Sequence, residues 1–385
     1  MSKMPELTIR NFAQIAEVCV KIGDLTVVVG PQATGKSLAL QWLKLAIDGN
    51  RVLHMLTHYG FDWGGDPSKL AGLFFGEGME SAWSPRTEVT YGRAQIDLAA
   101  LARGNRSSQP HRLFYVPAHR ALTISGGWPA AFRSSPPDTP FVVRAFGERV
   151  AETLATSRGF GEATLFPVPR RLPADVRDLL DQAIFHGAKV KLHTLGQRRE
   201  LQIVHGKSNL SYMAWTAGQR EFVPLLLGLY DVLPLGKIPD AMRLEWVVIE
   251  EPEMGLHPKG ILAVVLLVFA LLSRGYKVVL STHSPLVLNV LWAVGLVRNR
   301  RGAPTRVLEM FDLPMNPNTL PLADAALKAR FSVTYFDFGR DGRVRSKDIS
   351  GLDPASMDDA ESGWGGLTLF NSRIADRVAA AIGDD

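Results

Sequence analysis

The chain has 385 residues, 46% of them hydrophobic, with 43 basic against 38 acidic side chains. That length allows two or three domains with a sizeable core, and a formal charge of +5 is too small an excess to assign a polyanionic partner. One cysteine, Cys19, excludes an internal disulfide and a cysteine-rich zinc site, fits a reducing compartment and is expected to pack in the core.

In chain order, Leu7–Ile9 and Val18–Ile22 predict two short strands, and the apolar run Leu25–Val29 a third. The third runs straight into Gly30-Pro31-Gln32-Ala33-Thr34-Gly35-Lys36-Ser37, the G-x-x-x-x-G-K-[ST] pattern of a phosphate-binding loop. The two glycines let the backbone curl its N–H groups toward phosphate oxygens, Lys36 reaches the β- and γ-phosphates, and the Ser37 hydroxyl ligates Mg²⁺. A helix predicted over Ser37–Ile47, with Leu38 in its first turn, adds its positive dipole end to the same anion. The motif predicts binding of a nucleoside triphosphate with magnesium.

From Arg51 to Pro117 the chain is Gly-rich, and the runs Glu88–Tyr91 and Arg112–Val116 predict an antiparallel sheet laid against the nucleotide-binding core. Ser125–Pro140 predicts a loop or boundary. Helical periodicity over 141–187, interrupted by the Pro-rich Phe166–Pro173, predicts a helical insertion, and Val190–Val204 alternates like a hairpin. A helix over Arg220–Tyr230, a strand Glu245–Ile249, a helix Ile261–Arg274 and a strand Lys277–Leu280 follow. Strands apolar throughout and joined by helices imply an α/β fold with a mostly parallel sheet covered on both faces. Val333–Asp337 and Gly339–Ile349 predict a hairpin, and Ile374–Ala381 a short helix, which complete a sheet or dock a partner.

This pattern divides the chain into a first lobe (1–125), a helical insertion with its hairpin (126–207), a second lobe (208–330) and a C-terminal element (331–385). The longest apolar run, Ile261–Leu272, is shorter than the roughly 20 residues that span a bilayer, and the N-terminus lacks a signal-peptide core. A soluble, cytoplasmic protein without a membrane partner is expected.

Leu244–Ile249 ends in Glu250-Glu251-Pro252-Glu253, an apolar strand closed by carboxylates, where a P-loop ATPase places its acids. There Glu250 organises the metal's water shell and Glu251 accepts hydrogen bonds from the attacking water. Upstream, Thr216-Ala217-Gly218-Gln219 opens a helix, and Leu280-Ser281-Thr282-His283 ends the next buried strand.

Together these pieces resemble the ABC-type ATPase set, with an ABC-type ATPase head as the implied fold: Thr216-Ala217-Gly218-Gln219 stands in the place of the S-G-G-Q signature and His283 in that of the switch histidine. The resemblance implies that one protomer's signature caps the γ-phosphate of ATP held by another's loop, so the site is complete only in a homodimer or higher oligomer. The run Glu251-Pro252-Glu253-Met254-Gly255-Leu256-His257-Pro258 and the segment Tyr115-Val116-Pro117-Ala118-His119-Arg120 resemble the overcoming-lysogenization-defect and RecF-like members of that class. The likeness covers about residues 5–290. Glu250 in place of the usual Asp, and Ala217 in place of the first signature glycine, imply slow hydrolysis; Gln95 is the candidate for the glutamine of the Q-loop.

No heptad run exists to build the long coiled coils of the chromosome-maintenance relatives. Asp337, Asp341, Asp358 and Asp359 do not form the metal-dependent Toprim nuclease arrangement and read as solvated turns. The chain therefore resembles the stand-alone ATPase subunits of anti-phage systems such as PARIS, which implies a separately encoded nuclease or toxin as effector. Two alternatives remain open: a RecF-like clamp binding DNA through Arg170, Arg171, Arg177, Lys189, Lys191, Arg198, Arg199, Arg298, Arg300 and Arg301, and an ATP-dependent scaffold with negligible turnover.

Overall fold

In the computed structural model, residues 4–104, 109–136, 138–156, 164–169, 171–195, 198–233 and 244–383 are described. The strands are β1 (Glu6–Phe12), β2 (Ile15–Lys21), β3 (Leu25–Val29), β4 (Glu88–Tyr91), β5 (Ala94–Gln95), β6 (Leu113–Val116), β7 (Ile124–Ser125), β8 (Trp128–Pro129), β9 (Thr164–Phe166), β10 (Lys189–Leu195), β11 (Arg198–His205), β12 (Ser208–Ser211), β13 (Trp246–Glu250), β14 (Lys277–Ser281), β15 (Phe331–Phe338) and β16 (Val344–Asp348). The helices are α1 (Lys36–His58), α2 (Pro67–Phe75), α3 (Leu98–Arg103), α4 (Phe141–Thr156), α5 (Ala174–Leu180), α6 (Ala217–Val232), α7 (Pro258–Ser273), α8 (Pro285–Asn299), α9 (Pro304–Glu309), α10 (Leu320–Lys328), α11 (Asp359–Ser362) and α12 (Leu369–Gly383).

β3, β6 and β13 are buried at every position, as strands must be when helices cover both faces of a parallel sheet. They belong to a ten-stranded sheet ordered β5-β4-β1-β2-β16-β15-β3-β14-β13-β6. From β15 to β6 neighbouring strands are parallel, and β1, β2, β4 and β5 extend the sheet as an antiparallel meander. Alternate side chains feed two cores. Val27, Val29, Val247 and Ile249 face α6, α7 and α8, while Val28, Val248 and Val279 face α1 and the β1–β2 hairpin. A second, four-stranded antiparallel sheet, β12-β11-β10-β9, adjoins the first core through Val190, Leu192, Leu201 and Ile203. The fold is α/β, with a mostly parallel phosphate-loop sheet, an antiparallel extension and a helical insertion.

Several elements depart from the sequence expectation. The Arg112–Val116 run is a parallel strand beside β13, not part of the antiparallel set, because its residues are buried on both faces. The expected antiparallel layer is an extension of the main sheet. α1 continues to His58, past Gly49, since its later turns bury Val52, Leu53 and Leu56. Cys19 lies on the half-buried face of β2, where its backbone N–H donates to Ser346 Oγ at 2.7 Å; the core side of that strand holds Val18 and Val20. The C-terminal hairpin is inserted mid-sheet, with β15 against β3 and β16 against β2. Among the described residues, no helix is long and apolar enough to cross a membrane.

α1 is bent at Asp48, whose φ of −123° is non-helical, and a buried ion pair holds the bend. Lys44 Nζ donates to Asp48 Oδ2 at 2.6 Å and to the Leu113 carbonyl at 2.7 Å, and Asp48 accepts from the N–H groups of Arg112 and Leu113 at 3.0 and 3.1 Å. The pair pins the helix behind the phosphate loop to β6. Burial opposes the charge on Asp48, yet Lys44 and His111 hold its carboxyl well below the usual carboxylate range. Asp48→Asn leaves Lys44 buried without its counter-charge and is expected to cost about 3–5 kcal/mol in urea unfolding at neutral pH. The parent's advantage should shrink as pH falls below about 4, where Asp48 takes a proton in the unfolded chain.

Candidate functional site

The phosphate loop leaves β3 through Gly30 at φ +147°, where an added Cβ would lie 2.2 Å from the Phe336 carbonyl oxygen. Only glycine fits so close to β15. Gly35, at φ +81°, caps α1, and Ala33 is held in the left-handed region by Gln14 Nε2, which donates to its carbonyl at 2.8 Å. Thr34 Oγ1 donates to the Pro31 carbonyl at 2.8 Å, while Pro31, Gln32 and Ala33 are exposed and Ser37 and Leu38 half-buried. Lys36 Nζ donates to the carbonyls of Gly30 and Pro31 at 2.8 and 2.7 Å. Burial pushes the Lys36 ammonium down, and the charges of Glu251, Glu253 and Glu250 oppose that shift.

β13 delivers the acids to the same edge. Glu250 is buried; its Oε1 accepts from Tyr115 OH at 2.6 Å and its Oε2 from the Ala118 N–H at 2.9 Å. Burial pushes the Glu250 carboxyl up, and hydrogen bonds from Tyr115, Ala118 and Ser37 offset part of the rise. Glu251 turns out of the strand at φ +41°, a left-handed conformation that costs a β-carbon-bearing residue about 1–2 kcal/mol. Its Oε1 lies 3.5 Å from His283 Nε2, and hydrogen bonding to His283 holds the Glu251 carboxyl below the usual range. Glu253 fixes the switch segment, accepting at Oε1 from Thr282 Oγ1 at 2.8 Å and from the His283 N–H at 2.6 Å.

Thr216–Gln219 opens α6. Thr216 is its N-cap in a reciprocal capping box: the Gln219 N–H donates to Thr216 Oγ1, and the Thr216 N–H donates to Gln219 Oε1, each at 3.2 Å. A Cβ on Gly218 would lie 2.7 Å from the Gly255 carbonyl oxygen, so the helix start leans directly on the turn after the acids. Thr216 and Ala217 are exposed.

The fold thus brings Lys36, Ser37, Glu250, Glu251 and His283 to one edge. Among the described residues, no hydrogen bond joins Thr216–Gln219 to the phosphate loop. Gln95 is exposed on β5, at the opposite edge of the ten-stranded sheet from β6, and the segment that stands beside Glu250 is Pro117–Arg120. Tyr115, Ala118 and Arg120 were legible in the sequence only as a resemblance motif without a role; the strand pairing supplies the role. Among the described residues, no three His, Cys, Asp or Glu side chains form a metal cluster. The oxygen donors Ser37 and Glu250 fit Mg²⁺ that keeps waters and arrives with phosphates, rather than an all-protein cage.

Residues 157–289 match the family model described as "AAA domain, putative AbiEii toxin, Type IV TA system". The match spans the signature, both acids and His283, and stops short of half the chain. No curated protein matches the chain at a significant level. Solved structures similar to it include an SMC head bound to the C-winged helix domain of ScpA, at 10% identity over 94% of this chain and 100% of that one, with a TM-score of 0.43. The SMC head domain from Thermotoga maritima aligns at 11% identity over 90% and 99%, with a TM-score of 0.33. A dimeric ATP-binding cassette in a post-hydrolysis state bound to ADP and Pi aligns at 12% identity over 73% and 89%, with a TM-score of 0.31. The chain's own strand order and loop placement give a P-loop ATPase fold, with the phosphate-binding loop following a central strand of a mostly parallel sheet.

Because burial raises the Glu250 carboxyl, its ionised form weighs against the folded state as pH rises through its folded value. Glu250→Gln is therefore expected to raise the nucleotide-free melting temperature at pH 8, with the gap closing below about pH 4, where the parent's acid is protonated in both states. Thermal melts across that range check the sign.

Proposed function

We propose that this chain is an ATP-binding and hydrolysing ABC-type ATPase that acts as an oligomeric sensor or scaffold controlling a separately encoded nuclease or toxin in bacterial anti-phage defence. The observation that carries the ATPase reading is the single row formed by Lys36, Ser37, Glu250, Glu251 and His283 at the ends of parallel strands and of the loop that follows β3. Gly30–Leu38 would hold the phosphates of ATP, with Lys36 on the β- and γ-phosphates. Ser37 and Glu250 would hold Mg²⁺, whose charge neutralises the phosphate oxygens as the terminal bond breaks. Glu251 accepts hydrogen bonds from the attacking water, and His283, fixed by Glu253, meets the γ-phosphate. Thr216–Gln219 open α6 and lean on Gly255; on the resemblance to the ABC-type signature, they would close over a phosphate held by a second copy, and self-association is part of that reading.

Control of a separate effector is the reading carried by the resemblance to stand-alone ATPase subunits. Asp341 pairs with Arg345, and Asp358 caps α11 and pairs with Lys347, which leaves these groups in turns rather than in a nuclease site. The matching family model's description, which names a putative toxin and a type IV TA system, supports a place in a toxin-based system and names no separate effector. Of the cations in the DNA-clamp reading, Arg171 donates to the Tyr230 carbonyl, Arg177 to that of Leu172 and Arg298 to that of Ala329, while Arg298, Arg300 and Arg301 are exposed. Arg170 lies outside the described residues, as does the side chain of Arg198. The slow-scaffold reading keeps one specific support, since both Glu250 oxygens already accept protein hydrogen bonds.

Lys36→Ala is expected to abolish binding of a fluorescent ATP analogue. Glu251→Gln should keep that binding, lower hydrolysis about 100-fold or more, and accumulate an ATP-dependent dimer on sizing. Equal, slow hydrolysis by the parent and Glu251→Gln, with equal assembly, would select the scaffold. Co-purification with the neighbouring gene product, in the presence and absence of ATP, tests the effector; no complex in any nucleotide state sinks that part.

A further inference from the structure

The described site leaves one fully buried cation without a role. Arg120 has no exposed surface, and among the described residues its guanidinium donates to backbone carbonyls. Its Nε donates to the Glu221 carbonyl, in the early turns of α6, at 2.9 Å. Its Nη1 donates to the Glu250 carbonyl at 2.9 Å and to that of Pro117 at 3.4 Å, and its Nη2 donates to the Glu251 carbonyl at 3.1 Å. The Glu221 carboxylate lies 3.7 Å from Nε. A rigid planar fork of this kind fixes three backbone segments relative to one another, which a lysine's single ammonium cannot do.

We infer that Arg120 is a positioning residue that locks the start of the signature helix to the backbone of the two strand-end acids, so that the placement of α6 sets the aim of Glu251. Glu251 is the right place for such control. Its left-handed backbone persists only where its surroundings over-determine it, and the Arg120 bond to its carbonyl is one of the constraints that do so. The Gly218–Gly255 approach supplies a second contact between the same two segments, so movement of α6 and of the turn after the acids is shared. When a second copy's nucleotide engages Thr216–Gln219, the fork carries the displacement to the water-activating carboxylate. This inference rests on the ATPase reading above.

Arg120→Lys keeps the charge and removes the fork. It should bind the fluorescent ATP analogue within about threefold of the parent yet hydrolyse ATP about 30-fold more slowly or worse. In that background, adding Glu251→Gln should cost less than about threefold more, against about 100-fold in the parent, because a misaimed carboxylate has little left to lose. Equal costs in the two backgrounds, or affinity falling in step with rate, would overturn the inference. Amide hydrogen exchange without nucleotide decides independently of turnover: Arg120→Lys should speed exchange in 217–222 and 251–256 together, and a rise confined to 117–123 would overturn it. A parent that does not hydrolyse ATP refutes the ATPase reading alone and leaves the exchange result to judge Arg120.

Discussion

The parallel register of β3, β14, β13 and β6 decides where every candidate group stands. Val28 lies opposite Ser281, Ser281 opposite Glu250, and Ile249 opposite Val116, so the strands end at one level. The phosphate loop, the His283 segment, the two acids and Pro117–Arg120 therefore emerge side by side. A one-residue slip of β13 would turn Glu250 away from Tyr115 and carry Val247 and Ile249 out of their core. Val247 and Ile249 fill one core and Trp246 and Val248 the other, and the hydrogen bonds that Glu250 accepts from Tyr115 and Ala118 fix the register at the strand's end.

At that edge two neighbouring carboxylates are given opposite characters by their surroundings. Glu250 is enclosed and pushed toward its neutral form, while Glu251, half-exposed and close to His283, is held ionised. Divergent environments for adjacent acids are how one site divides structural and chemical duty between like groups. The local positive charge comes from Lys36 and Arg120, both buried, against Glu221, Glu250, Glu251 and Glu253. A divalent cation arriving with a polyphosphate would meet a field already prepared for it.

The phosphate loop was legible from sequence because its requirements are local: a strand, two glycines and a helix start within a dozen residues. The same holds for Thr216-Ala217-Gly218-Gln219 opening a helix and for the acids closing β13. Leu113–Val116 was misassigned because a short apolar run has no periodicity that separates a parallel strand from a hairpin strand; its partner, β13, lies more than a hundred residues away. Cys19 was misplaced for a related reason, since a strand's inner face is set by what packs on it. Arg120 stood in the sequence only as the end of a resemblance motif, with no signal of its role. The carbonyls it reaches beyond its own turn lie on two segments, the start of α6 and the end of β13, that only the folded sheet brings together.

The position of β15 has a consequence for how the chain assembles. β3, which carries the phosphate loop, is flanked by β14 and β15, and both are made long after it. During synthesis, the antiparallel β1–β2 hairpin can form early, but β3 must wait some three hundred residues for its second neighbour. Until then its edge is open, and Gly30 lacks the Phe336 carbonyl that it is shaped to sit beside. The surroundings of the phosphate-loop motif thus depend on pairing between segments far apart in the chain, so they are completed only when the last strands join the sheet.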